Sequence, residues 1–363
     1  MNGPRGIMRR LQQSLATHHQ WAAALGGLLL FLATVGLAAE DVVVISSAAD
    51  SAQQTRRVGE IIDYTGRELT LRMKGDREVA IPSERVIDVH TRLSQDQQRA
   101  DQLFAARRYA ESVDLYRQAQ NQEERIWMRR QIVAQQVWCH RNLQQYDRAA
   151  ELFLVLFQSD PDTQFIGSIP LAWRTQQPPA SLERRATGWL RGNLGTREEK
   201  RSRRDLDAVA ALIGASWLLP TSLRGESVVL LEQLKEYEHQ VVARLAQAQL
   251  WRSQVMAATR DDVAAWQVAA DAFPPALRAG PYFVIGQALA RHGRHEEAAL
   301  MWMRVPIVFS RHRVLASECL LAAGDALAKT NQLDEAANVY REVVRDYAEL
   351  PVASVAKSKL AEY

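Results

Sequence analysis

The chain has 363 residues, of which 47% are hydrophobic and 24% charged, a balance typical of a folded protein and unlike a disordered one. Its formal net charge is +3, but Arg5, Arg9 and Arg10 precede the first acidic residue, Glu40, so the chain beyond residue 39 carries equal numbers of basic and acidic residues. Because phosphate contacts need a surplus of Lys and Arg, this neutral body argues against nucleic acid as a partner.

The first 39 residues have the order of an export signal. A basic, polar start is followed by an uncharged apolar segment, 21–39, which ends in the small residues Gly36, Ala38 and Ala39. That order is typical of a secretory signal peptide, and the alternative is an uncleaved anchor in the inner membrane. Either way the sequence predicts an exported protein of the periplasm or cell envelope, with membrane association through 21–39 in the second case.

Residues 40–95 are predicted to form a small antiparallel β domain. Leu69, Leu71 and Met73 alternate with polar residues, which indicates a strand with one buried face, and the turn at 74–76 is typical of a hairpin. The spacing resembles that of SH3-like or Sm-like barrels at Gly59, Ile61, Tyr64, Gly66, Leu69 and Leu71. Two interpretations stay open for this domain: it is a docking module, or it is a cap or a spacer between the envelope and the repeats.

Helical spacing begins near Gln98, and the strongest internal repeat lies close to the C-terminus. Residues 286–291 return as 324–329, 38 positions later, with the small residues Gly286 and Gly324 at matching places. Later in the repeat, 296–299 returns as 334–337. A weaker pair lies 37 positions apart, at 109–116 and 146–153, and Val137 stands there where a small residue belongs.

These repeats resemble the tetratricopeptide repeat. That family has a small residue within a first helix, two acidic residues and an Ala opening a second helix, and an aromatic residue four positions later. The matching positions are Gly286 and Gly324, Ala298 and Ala336, and Trp302 and Tyr340. The chain is similar to bacterial envelope members of the family, such as the outer-membrane assembly lipoprotein and the cell-division coordinator.

The resemblance implies a mainly α fold in which a helical solenoid follows the β domain. Repeat pairs are expected at 96–161 and 276–363, with degenerate helical repeats at 162–275 between them. The family binds ligands on the inner face formed by the first helix of each repeat. Carried over, this face predicts a set of partner-binding residues: Asp101, Phe104, Trp138, Arg141, Asn142, Gln287, Arg291, Asp325 and Lys329.

The sequence carries no recognisable catalytic, phosphate-binding or metal-binding motif. It has no glycine-rich phosphate loop and no nucleophile elbow. The cluster of His292, His295 and His312 is not expected to bind a metal, because the first two lie at a solvated turn between repeat helices. We therefore predict no catalytic, cofactor-binding or metal-binding residues. Most of the nine tryptophans are assigned to core packing, with a groove lined by some of them as the alternative.

The function predicted from the sequence is a non-enzymatic scaffold that binds other proteins or peptides in a cell-envelope assembly. Two alternatives stay open. One is a structural envelope protein that assembles with itself, and the other is an enzyme whose site lies within 162–285, where the helical pattern is least regular.

Overall fold

The computed structural model describes residues 40–46, 53–192 and 201–362, so the export segment predicted at 1–39 lies outside the described residues. The described residues form fourteen α-helices and one five-stranded antiparallel sheet near the N-terminal side. They belong to one compact unit that begins at Glu40. The predicted fold class is confirmed at this level, as a mainly helical chain preceded by a small sheet.

The sheet is built from strands that follow one another closely in the chain. They are β1 (Asp41–Ser46), β2 (Gln54–Tyr64), β3 (Glu68–Met73), β4 (Arg77–Pro82) and β5 (Val86–His90). Their order is β4-β3-β2-β1-β5, with all neighbours antiparallel. Gly75, at φ +81°, makes the predicted hairpin turn, and Leu69 and Leu71 are fully buried on the predicted face.

The helices continue from Gln95 to Leu360, and most consecutive helices pack against each other. They are α1 (Gln95–Ala105), α2 (Tyr109–Gln122), α3 (Ile126–Asn142), α4 (Tyr146–Ser159), α5 (Ala180–Leu190), α6 (Arg201–Leu218), α7 (Arg224–Leu234), α8 (Gln240–Gln254), α9 (Arg260–Asp271), α10 (Ala279–Arg291), α11 (His295–Val308), α12 (Arg313–Lys329), α13 (Leu333–Asp346) and α14 (Val352–Leu360).

The same helix–turn–helix geometry occurs four times. The turns between α1 and α2, α3 and α4, α10 and α11, and α12 and α13 each hold one residue in the left-handed region: Arg107, Gln144, Gly293 and Asn331. In each turn the following amide donates to the carbonyl five residues earlier, at 2.8–3.0 Å, which closes the first helix. None of the other described helix connections has such a residue.

Two of these units, α10–α11 and α12–α13, also pair a glycine of the first helix with an aromatic residue of the second. A Cβ atom on Gly286 would lie 2.4 Å from Nε1 of Trp302, and one on Gly324 would lie 2.5 Å from Cε1 of Tyr340. The helices can therefore approach this closely only where the side chain is absent. Tyr340 also donates to Oδ1 of Asp325 at 2.6 Å.

Two hydrophobic cores meet at α3. One face of this helix, with Trp127 and Met128, packs with the strands, α1 and α2, while Val133 and Val137 belong to the core formed by the later helices. The sheet is fixed to the helices by polar contacts as well. Trp127 Nε1 donates to the Ile61 carbonyl at 3.2 Å, and the amide of Gly66 donates to Oδ2 of Asp160 at 2.9 Å.

Candidate functional site

Three of the predicted partner-binding residues line one small cavity. Trp138, Arg141 and Asn142 lie on the last turns of α3 and border a cavity of about 40 Å³. The other residues around it come from the start of α4, the segment after α4, α6, and the turn before α12 with its first residues: Tyr146, Leu171, Ala172, Trp173, Arg174, Gln176, Trp217, Arg311, His312, Val314 and Leu315. The repeats from the two ends of the described chain therefore meet at this cavity.

One wall of the cavity is an irregular segment, 169–176, that runs between α4 and α5. Its residues from Ile169 to Trp173 are buried, so their backbone groups need partners inside the protein. Trp217 donates to the Pro170 carbonyl at 2.8 Å, and Gln249 and Arg252 both donate to the Ala172 carbonyl, at 3.0 and 3.1 Å. The later helices thus supply the hydrogen-bond donors that this irregular segment needs.

The indole of Trp173 packs against Gly280 of α10, which has no side chain. A Cβ atom on Gly280 would lie 1.9 Å from Cε2 of the Trp173 indole, so only glycine leaves room for this ring. The indole is 8% exposed and belongs to the large core. This contact fixes the segment against α10 and sets the position of one aromatic wall of the cavity.

Arg141 is the central cation of the cavity. It is 9% exposed, donates to the Gly167 carbonyl at 3.1 Å and to Nδ1 of His312 at 3.1 Å, and stacks 4.4 Å from the ring centre of Trp138. It forms no ion pair with any carboxylate of the described residues. Burial lowers the pKa of its guanidinium to about 10, so the group is still charged at neutral pH.

His312 is held as a neutral acceptor. Its Nδ1 receives a hydrogen bond from Arg141, which places the ring proton on Nε2. The ring meets Trp138 edge to face, with centroids 4.7 Å apart. Burial, with the charge of Arg141 as a second cause, lowers the pKa of His312 well below its ordinary value.

The remaining cations of the lining differ in their partners. Arg174 pairs with Glu318 at 2.5 Å, while Arg311 is exposed and lies 5.9 Å from the ring centre of Phe104. None of the described lining residues is itself acidic. The amide nitrogen of Asn142 is buried and has no hydrogen-bond partner among the described residues. The cavity lining therefore holds one unpartnered donor, the Asn142 amide nitrogen, and one buried positive charge without a carboxylate partner, that of Arg141.

The other predicted partner-binding residues are not part of the cavity lining. Asp101 accepts from Tyr116 at 2.5 Å, Phe104 packs edge to face on Tyr109, and Arg291 donates to the Met256 carbonyl at 3.1 Å. Asp325 is bonded to Tyr340 and also pairs with Lys359 at 3.1 Å. Gln287 is half-buried on α10, and Lys329 is exposed at the end of α12.

Several cavity residues were not predicted as binding residues. Arg174 and Arg311 carry no repeat signal, and Trp173 lies in a segment with no helical spacing. His312 drew attention only as part of a histidine cluster, but its neighbours are Arg141 and Trp138, while His292 contacts the Ala258 carbonyl at 2.9 Å. A tryptophan-lined groove was the alternative to pure core packing, and Trp138, Trp173 and Trp217 do share this lining.

Other kinds of site can be compared with this cavity. Across the described residues, no group of three or more His, Cys, Asp or Glu side chains is placed to hold a metal ion. Cys139 and Cys319 are both free and buried. In that same part of the chain, no helix combines the length and hydropathy needed to cross a membrane.

Comparison with known proteins adds no family name. No protein-family model matches the sequence, and a search of curated proteins gave no significant match.

Proposed function

We propose that this protein is an exported, non-enzymatic scaffold of the tetratricopeptide-repeat type that binds partner proteins in a cell-envelope assembly. The observation that carries the proposal is the recurrence of one helix–turn–helix geometry, with turn residues 37 positions apart at Arg107 and Gln144 and 38 apart at Gly293 and Asn331. A stack of such units forms a helical solenoid, whose rigid surface suits repeated shallow contacts with another chain.

The β domain fits an SH3-like interpretation. Its strand order places β1 between β2 and β5, and a single 3-10 turn, Ser83–Arg85, separates β4 from β5. Because it shares a core with α1, α2 and α3, it also covers the first end of the helical array. We assign it this capping role, since an uncovered end of a repeat array would expose apolar side chains to water.

The partner surface is proposed on the first helices of the repeats. Arg291 and Lys329 are exposed at the ends of α10 and α12, so a partner can reach both of them. Trp138 and Arg141 are buried at their cavity and offer contact only there. The mechanism is tethering, in which contacts along one rigid face bring partners together outside the cytoplasm.

The test is cross-linking of an epitope-tagged chain in intact cells, followed by identification of the captured envelope proteins. We expect recurrent capture of one or two proteins by the unaltered chain and its loss on combining Arg291→Glu with Lys329→Glu. Lys357→Glu, at an exposed position on α14, is the matched charge-reversal control and keeps the capture. Equal capture by all three chains would refute the proposed surface, and capture of the chain alone would favour self-assembly.

Export is tested separately by sequencing the N-terminus of the protein from the envelope fraction. A terminus at Ala39 or Glu40 supports a cleaved signal, and an intact terminus in the membrane fraction supports the anchor. Recovery of the intact chain from the cytoplasm alone would contradict the proposed location.

A further inference from the structure

We propose that the cavity at the end of α3 binds a carboxylate group of the partner protein, with Arg141 and Asn142 as its donors. This inference rests on the proposed function, because it assumes a protein partner. It assigns the chemistry of that partner, namely an acidic side chain or a free C-terminus on an apolar stem.

The first support is the charge of Arg141. A buried cation is expensive unless an anion pairs with it, and the described residues supply Arg141 with none. Holding the Gly167 carbonyl does not require a charge. Gln249 does the same for the Ala172 carbonyl with a neutral amide, at 3.0 Å. Among its contacts only the stacking on Trp138 uses the charge of Arg141, and no described anion neutralises it.

The second support is independent of charge. The amide nitrogen of Asn142 is buried and unpartnered among the described residues, although a buried donor normally has an acceptor. Asn142 follows Arg141 directly in α3, and both line the cavity. A carboxylate has two oxygen atoms that only accept, so one group can receive hydrogen bonds from both residues.

The size and walls of the cavity narrow the choice of anion. A volume of about 40 Å³ admits a small planar group, and Trp138, Trp173 and Trp217 form walls suited to the apolar stem that carries it. His312 adds no positive charge to the cavity, because its Nδ1 accepts a hydrogen bond from Arg141 and the ring is neutral. Glu318 is already occupied by Arg174.

The test follows the indole N–H signals of the full chain by two-dimensional NMR during titration with short peptides. The probes are N-acetyl-Ala-Ala-Leu with a free C-terminus, the same peptide as its amide, N-acetyl-Ala-Glu-Ala-amide, and inorganic phosphate. We expect at least one carboxylate peptide to shift the signals of Trp138, Trp173 or Trp217. Trp302, whose Nε1 donates to the Phe283 carbonyl, is the internal control.

The two peptide arms distinguish the source of the carboxylate. A response to the free C-terminus but not to its amide indicates a chain end, and a response to the glutamate peptide indicates an acidic side chain. A response to phosphate alone, or an equal response to the neutral amide, overturns the proposal.

Two variants test whether Arg141 and Asn142 bind the carboxylate. Arg141→Gln keeps a donor for the Gly167 carbonyl and removes the charge, so we expect at least tenfold weaker peptide binding. Asn142→Asp places a carboxylate beside Arg141 within the chain, so we expect lost peptide binding without lost stability. Unchanged binding in both variants overturns the assignment. If cross-linked partners persist while no carboxylate binds, this inference fails and the scaffold proposal stands.

Discussion

Arg141, His312 and Trp138 form a three-residue contact that joins distant parts of the chain. The guanidinium stacks on the indole, 4.4 Å from its ring centre, and donates to the imidazole at 3.1 Å. Such a contact fixes the protonation of the imidazole, because a protonated ring cannot accept from a cation. The neutral histidine is therefore part of the folded arrangement, and its protonation opposes folding.

The first prediction concerns the pH dependence of this contact. The pKa of His312 is lowered on folding, so the unfolded chain binds more protons as pH falls below about 6.5, and stability is lost in that range and fully present above it. His312→Gln retains an acceptor for Arg141 but cannot titrate. Between pH 7.5 and 5.5 we expect the unaltered protein to lose more unfolding free energy than the variant, by up to about 1.4 kcal/mol per pH unit.

Chemical denaturation at several pH values measures this difference. His140, whose pKa burial also lowers, is present in both proteins, so its contribution cancels in the comparison. Parallel stability curves for the two proteins would contradict the prediction.

Repeat position indicated which residues of α3 lie together, while their role in partner binding stays a prediction. Trp138, Arg141 and Asn142 were selected because they occupy the first helix of a repeat, and they do line a common cavity. Their neighbours were not selected, because Arg141 and His312 are 171 positions apart. Periodicity within one helix carries no information on which distant turn will pack against it.

At the scale of elements, the turns show why the repeats could be recognised. Spacing of the small and aromatic residues predicted the helix pairs at both ends, and the four turns share their backbone geometry. The backbone conformation of the segment 169–176 could not be predicted from the sequence. Its buried carbonyls depend on donors from α6 and α8, such as Trp217 and Gln249, which lie far along the chain.

The second prediction compares two helical glycines, one packed against an aromatic ring and one facing open space. Gly324→Ala would bring a Cβ atom to 2.5 Å from the Tyr340 ring, so we expect a loss of about 1–3 kcal/mol of unfolding free energy. Gly188→Ala in α5 meets nothing within 4 Å, so we expect a gain of about 0.5–1 kcal/mol from the better helix former. Denaturant unfolding measures both, and changes of the same sign would contradict the close packing of α12 on α13.

At the scale of the whole described unit, the sheet and the helices fold against one another. The β domain shares its core with the first helices, and the turn after β2 meets the segment that follows α4. The last repeat also returns to the first, since Arg107 donates to the Asp346 carbonyl at 2.8 Å. These long-range contacts suggest that the β domain and the first repeats gain stability from each other.

The third prediction tests the contact between the sheet and the helices. A Cβ atom on Gly66 would lie 1.4 Å from the Asp162 carbonyl oxygen, so Gly66→Ala must displace the turn after β2 from the end of α4. We expect a loss of about 1–3 kcal/mol of unfolding free energy, as for other overpacked contacts. Gly225→Ala, in the first turn of α7 with nothing within 4 Å of its added atom, is the control and is expected to be neutral or slightly stabilising.

Hydrogen exchange locates the effect of Gly66→Ala within the molecule. Displacement of the turn breaks the bond from the Gly66 amide to Asp160, so we expect faster exchange at 64–67 and 160–163. The amides of α12 and α13 belong to the other core and are expected to keep their protection. Faster exchange throughout the chain would mean that the sheet and all the helices open together. Unchanged exchange at both segments would refute the contact, because the substitution cannot be accommodated while the turn and α4 keep their positions.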